Sequence, residues 1–228
     1  MSTLASTQNN APLDSTGVGR PLTTAVLLAL AGTVLWFLYH RIHYFSDYAP
    51  SSYAEDYFWP RRWGLIPHLL GGGTAISVGL VQLWLGATRR TGILHRRLGR
   101  VYVAAITIAA PTGMYLALTI PTAYDHLAYS SGLFMLDAAW IATTAMAVVA
   151  IRRRDISQHR AWMIRSYTVT FAFATYRLAE MWLAPYLPFP EDPVATQLGA
   201  MLAWGCWAVP LLCAEIGIGI AAMHKRPA

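Results

Sequence analysis

Seven histidines punctuate the chain, and two stand in related surroundings: LHRRLGR at residues 94–100 and QHRAWMIR at 158–165 each set an imidazole beside arginines where a long apolar run begins. An imidazole can hold a metal or haem iron, or exchange a proton near neutral pH. Four of them, His68, His95, His126 and His159, occur one to a run, each near its start. His40 and His43 lie beside Tyr39 and Tyr44 and read as an interfacial belt, and His224 as a tail residue. Cys206 and Cys213 are seven residues apart in the last run, roughly 10 Å along a helix, too far for a disulfide within it, and read as packing residues. HExxH, CxxC, phosphate-loop and GxSxG patterns do not occur, and no catalytic residue can be named.

The elements that must position these histidines are apolar. Only 12% of the 228 residues are charged, 56% are hydrophobic and nine are Trp, which describes a membrane protein rather than a soluble domain. A hydrocarbon core of about 30 Å takes about 20 helical residues. Six runs meet that length, at roughly 22–40, 64–86, 98–120, 131–151, 161–184 and 198–222. The expected fold is therefore all-α, a six-span bundle occupying residues 22–222, with a flexible cytoplasmic tail at 1–21 and a short one at 223–228. The first twenty residues lack the basic region and cleavage site of a signal peptide. A net charge of +6 could suggest nucleic acid, but the basic residues gather in two short loops and at the C-terminus. Arg89, Arg90, Arg96, Arg97 and Arg100 follow the second run, and Arg152, Arg153, Arg154 and Arg160 the fourth. The opposite loops carry Asp47, Glu55, Asp56, Asp125, Glu191 and Asp192. The positive-inside rule then puts both termini in the cytoplasm, the lipid bilayer is the surrounding partner, and nucleic acid is not one. No internal repeat strong enough to rely on is visible.

That topology sorts the polar groups into two layers. His68, Asp137, Arg177 and Glu180 fall roughly 6–10 Å below the outer boundary, with His126 just above. Gln82, Glu215, His95 and His159 lie near the cytoplasmic boundary. In the fifth run His159, Met163, Ser166, Thr170, Phe173, Arg177 and Glu180 recur at helical spacing, one partly polar stripe that must face the bundle interior. In the second, His68, Gly72, Ala75, Gly79, Gln82 and Gly86 make a stripe of small residues open either to helix packing or to a flat prosthetic group. Asp137 and Arg177 share a depth and are expected to form an ion pair, shared with Glu180, either structural or functional.

The histidines alternate out, in, out, in. His68 with His126, and His95 with His159, would make two bis-histidine sites for haem b, with Arg96 and Arg165 beside the inner pair as partners for propionates. On the plainer account arginine marks the cytoplasmic side and histidine merely begins a helix. A transition metal held by His68, Asp137 and Glu180 is a third possibility, and the sequence leaves all three open.

The combination H68-LLGGGTAISVGLVQLWLG, H95-RRLGRVY, H159-RAWMIRSYTVTFAFATYR and WGCWAVPLLCAEIGI resembles the membrane-protein family catalogued as domain of unknown function 2306, from about residue 64 to 220. The placing of one histidine on each of four successive helices, the HRRLG at His95, and Gln82 and Gly86 downstream of His68 also resemble the cytochrome b-561 family of six-helix electron carriers. That resemblance implies His68 and His126 as ligands of one haem, and His95 and His159 of the other. The expected function is a haem b-binding or otherwise redox-active protein of a bacterial plasma membrane, with a quinone or another membrane electron carrier as partner. The alternatives are a noncatalytic subunit of a larger membrane complex, without cofactor, and a metal-dependent membrane oxidoreductase acting on a lipid or quinone. Gln82, Asp137, Arg177, Glu180 and Glu215 are the expected buried polar support.

Overall fold

The computed structural model describes residues 19–46, 59–119, 126–183 and 193–223. Residues 1–18 of the expected N-terminal tail, the expected C-terminal tail from 224 and the acidic loops lie outside them, while residues 19–21, expected as tail, open the first helix. Six α-helices, α1 (Gly19–Ser46), α2 (Arg62–Ala87), α3 (Ile93–Leu118), α4 (His126–Arg152), α5 (Ile156–Leu183) and α6 (Pro193–Met223), account for these residues, with one 3-10 turn at Trp59–Arg61; no strand occurs among them. The reason is the unbroken apolar composition: inside lipid a helix satisfies its own backbone groups.

Four helices are long and apolar enough to cross a membrane, over 62–87, 93–118, 127–152 and 197–223. The expectation of six such runs therefore needs qualifying. The side chains of α1 are described over Thr24–Tyr39, and that stretch is apolar. α5 carries His159, Arg160, Arg165, Arg177 and Glu180 within one helix. Of its uncharged polar side chains, Ser166 and Thr170 turn inward and are fully buried.

α2, α3, α4 and α5 pack as an antiparallel ring, each on its neighbour in sequence and α2 also on α5. α1 leans on this ring through Val34, which packs with Ile76 and Ala174. α6 lies against α4 and α5. The ring has no hollow at its centre. Tyr102, Ile106, Trp140, Ser166, Val169 and Thr170 are all fully buried there.

Two tight turns, α2 to α3 and α4 to α5, are built alike. Each ends its first helix with an arginine in the left-handed region, Arg89 at φ 57° and Arg154 at φ 59°. In each, the arginine N–H reaches the carbonyl three residues back and the next N–H the carbonyl five back, Arg90 to Leu85 at 2.8 Å and Asp155 to Ala150 at 3.0 Å. This is the Schellman arrangement, which glycine usually occupies. The second turn adds an Asp155 carboxylate that accepts the Gln158 N–H at 2.9 Å and so caps α5. At the far end of the first hairpin Arg61 Nε donates to the Thr119 carbonyl at 2.7 Å, tying the start of α2 to the end of α3.

Candidate functional site

The small-residue face of α2 runs through Gly71, Ala75, Gly79 and Gln82, all buried. The register differs by one residue from the expected stripe, since Gly71 and not Gly72 meets α3. A Cβ on Gly71 would lie 2.8 Å from both Ala105 O and Ala109 Cβ, whereas nothing lies within 4 Å of one on Gly72 or Gly86. At Gly79 the neighbours are the rings of Tyr167 and Tyr102. The space that a flat group would have used is filled by two tyrosines, so this face serves helix packing.

At one end of the ring, that close approach brings His68 against α3. Its Nδ1 lies 2.9 Å from the Ala109 carbonyl, which can only accept, so the ring donates from Nδ1. A neutral imidazole so held keeps its lone pair on Nε2, free to bind a metal or a proton. Phe173 meets the ring edge-on at 5.4 Å. Asp137 comes to the same place from α4: a Cβ on Gly113 would be 2.8 Å from both His68 Cε1 and Asp137 Cγ. Asp137 is 3% exposed. Its Oδ1 has no hydrogen-bond partner.

The expected pairing of Asp137 with Arg177 does not form. Arg177 Nη1 instead meets Glu180 Oε2 at 2.5 Å, one turn along its own helix. Equal depth fixes height but not direction around the axis, and an acid three residues away lies on the same face. Asp137→Asn and Arg177→Gln are therefore expected to act additively on stability in a denaturant titration in mixed micelles, Asp137→Asn alone costing less than about 1 kcal/mol, because no counter-charge is lost. A coupling above about 1 kcal/mol would show that the two residues meet after all.

At the arginine-bearing end lie His95 on α3 and His159 on α5, near enough for a charge on one to be felt by the other. His159 donates Nδ1–H to the Ala147 carbonyl of α4 at 2.9 Å, repeating on the second hairpin what His68 does on the first. Gln82 donates to the backbone carbonyl of His95 at 2.8 Å. The Nδ1 of His95 is buried without a partner. Outside it a shallow groove of about 290 Å³ is lined by Ile93, Arg96, Arg97 and Arg100. Arg165 is turned elsewhere. It is engaged through Nε and, at 2.7 Å, through Nη2 by the two oxygens of Glu215 on α6. It also stacks over Trp162 at 4.4 Å. These two residues thus pin α6 to α5, and Arg165 is not free to clamp a propionate.

His126 begins α4, but its side chain lies outside the described residues, as do those of His40, His43 and His224, so the outer pair is represented by His68 alone. Among the described residues no three His, Cys, Asp or Glu side chains converge as a metal site. Glu180, bound to Arg177, does not complete one with His68 and Asp137. Cys206 is buried and Cys213 exposed, and both are free thiols.

Between the two ends lies a buried polar row, of which the sequence singled out only Ser166 and Thr170. Tyr102 on α3 reaches Ser166 at 2.9 Å and Thr170 at 2.8 Å. Thr144 reaches Ser166 at 2.7 Å, and the Trp140 indole donates to Thr170 at 2.7 Å. A signal was present: Tyr102 follows His95 by seven residues and Ser166 follows His159 by seven, and Tyr102 and Ser166 touch.

A family model described as "Predicted membrane protein (DUF2306)" matches residues 65–218, which covers the four helices of the ring and most of α6. No curated protein and no solved structure matches the chain.

Proposed function

The chain belongs to the DUF2306 family of predicted membrane proteins, and from that premise we propose a redox-active, multi-pass protein of a bacterial inner membrane that holds a b-type haem between His95 and His159 at its cytoplasmic end. The observation that carries this reading is the state of the two rings. His159 is oriented by the Ala147 carbonyl, and His95 leaves a buried nitrogen without a partner beside it. An imidazole whose Nδ1–H is held by a carbonyl is a fixed and more basic ligand through Nε2. The residues present fit the group at this end and not at the packed centre of the ring. Bound there, a haem would supply one-electron transfer. Arg96, in the groove with Arg97 and Arg100, would offer guanidinium N–H groups to its propionates. Arg165 would act on the site only by position, through Glu215 and α6. A second haem at His68 and His126 belongs to the same reading, and a quinone or another membrane electron carrier would be the exchange partner.

The test is an absorption spectrum of the protein purified in mild detergent from cells given a haem precursor. A low-spin spectrum that sharpens on reduction is expected. His95→Ala and His159→Ala should each remove most of it, His40→Ala should retain it, and Arg96→Gln should shift the potential more than the occupancy. A colourless wild-type protein sinks the reading. Metal analysis of that sample then separates a metal-dependent oxidoreductase, with stoichiometric iron, copper or zinc lost in His68→Ala, from a cofactor-free subunit of a larger complex.

A further inference from the structure

The arginine-bearing end of the first hairpin is a basic surface with no acid in it. From Thr88 to Val101 the chain carries Arg89, Arg90, Arg96, Arg97 and Arg100 and neither Asp nor Glu. All five side chains are exposed. Among the described residues none of the five pairs with an acid, whereas Arg165 and Arg177 each do. The second hairpin differs, because Asp155 stands directly after Arg152, Arg153 and Arg154. Like charges gathered without a counter-charge repel one another, and an anion from outside the chain relieves that repulsion.

Topology alone would be served by positive charge anywhere in this turn, but the arginines lie in two open grooves that meet at Ile93. The larger, of about 790 Å³, lies at the turn itself, where Trp84, Arg89, Arg90, Ile93 and Leu94 are among its walls. The smaller, of about 290 Å³, is lined by Ile93, Arg96, Arg97 and Arg100. Arg90 is held in place, its guanidinium 5.3 Å over the Trp84 ring. Ile93, Arg97 and Arg100 recur at spacings of four and three, so they share one face of α3, with Arg96 on its flank. That face runs on as Val101, Ala104 and Ile108, all exposed, and on α2 Val81 and Trp84 are exposed beside the turn. Charge at the helix end followed by apolar surface is the order of a phospholipid, headgroup first and acyl chain after it.

We infer that this end of the α2–α3 hairpin binds one phospholipid bearing two phosphates, of the cardiolipin type. Arg90 takes one phosphate in the larger groove, Arg97 and Arg100 take the other in the smaller, and the glycerol that joins them crosses Ile93. The acyl chains lie along Val101 and Ile108. A guanidinium presents paired N–H groups to phosphate oxygens, and basic pockets at the cytoplasmic ends of spanning helices hold headgroups of this kind. Two phosphates on one bridge match two grooves joined at one residue, whereas a lipid with a single phosphate leaves one groove unfilled. Arg96, on the flank, remains available to a propionate, so the inference neither needs nor excludes haem.

The test uses the full chain in nonionic micelles, titrated with cardiolipin, with phosphatidylglycerol at equal phosphate, and with inorganic phosphate. Thermal unfolding followed by tryptophan fluorescence reads binding, because a ligand of the folded state raises Tm. Cardiolipin should raise the midpoint and saturate at one lipid per chain, phosphatidylglycerol should bind on the order of tenfold more weakly, and inorganic phosphate should have no effect. Arg90→Gln and Arg97→Gln should each weaken cardiolipin about fivefold, and Arg153→Gln, which removes the same charge from the other turn, should leave it unchanged. No shift with cardiolipin overturns the inference. So does phosphatidylglycerol binding as tightly, or a loss at Arg153 equal to that at Arg97, since either describes a basic surface without a built site. Should a Gln variant fail to insert for want of charge, Arg90→Lys and Arg97→Lys keep the charge and lose the fork. Weaker cardiolipin binding by them supports the site and unchanged binding overturns it. A colourless chain that passes these tests removes the redox reading alone, and a haem-bearing chain that fails them removes the lipid site alone.

Discussion

Gly79→Ala is expected to destabilise the bundle by about 2–3 kcal/mol although it adds a single methyl group. The new Cβ would stand 2.5 Å from Cδ2 and Cε2 of Tyr167 and 2.8 Å from Cε2 of Tyr102. Neither ring can step aside. Tyr167 is held through its hydroxyl by the Ile76 carbonyl at 3.1 Å, and Tyr102 by Ser166 and Thr170. The methyl must therefore push α2 away from α3 and α5 together, and packing is what holds helices to one another where no water can drive them together. Gly72→Ala, seven residues earlier on the same helix, supplies the control. Nothing lies within 4 Å of its Cβ, and alanine should be neutral or stabilise by up to about 1 kcal/mol through helix propensity. Unfolding followed by tryptophan fluorescence in mixed micelles measures both. Equal effects at the two positions would mean that the two helices do not approach at Gly79.

The second large effect is expected at Trp140. Among the described residues it is the largest fully buried side chain. Its ring meets Phe173 edge-on at 5.1 Å and its N–H is spent on Thr170. Trp140→Ala leaves a cavity that flanking aromatic side chains fill poorly and should cost about 3–5 kcal/mol. Trp140→Phe retains most of the volume and loses chiefly the hydrogen bond, for about 1–2 kcal/mol. The difference between the two variants, read in the same micelle titration, separates volume from polarity. An Ala variant as stable as the Phe variant would contradict a filled centre.

Much of this was legible in the sequence. Continuous apolar runs gave the helices, because hydrophobicity is the chief requirement lipid imposes. The run expected at 98–120 is a helix from Ile93, and that expected at 161–184 a helix from Ile156. Both begin about five residues early for one reason: the first turn at the arginine end is helical but polar. His95 and His159 consequently lie within their helices. The inward face of α5 was also readable, since Ser166, Thr170 and Phe173 follow a spacing of three and four. Direction around a helix axis was less so. Asp137 and Arg177 share a height without meeting, and the packing glycine of α2 is Gly71 and not its neighbour. The polar row escaped notice because tyrosine, threonine and tryptophan in an apolar run look like ordinary filling until their hydroxyls and N–H are seen to meet. The likeness of the two hairpins escaped too. It rests on backbone geometry at Arg89 and Arg154 and on a His-to-hydroxyl spacing of seven, with little identity between the residues around them.

Those two arginines say something about how the protein is made. A left-handed backbone at a residue with a side chain costs about 1 kcal/mol relative to glycine, so the finished bundle would be better served by glycine at both turns. What arginine brings is a charge that resists being carried across the bilayer, and that matters only while the chain is being threaded. By the positive-inside rule, arginine at these positions is expected to serve insertion rather than the folded state. The consequence is that α2–α3 and α4–α5 stand in the bundle as two units of the same polarity, side by side and not inverted. Only that arrangement brings like end to like end, and with it Tyr102 to Ser166.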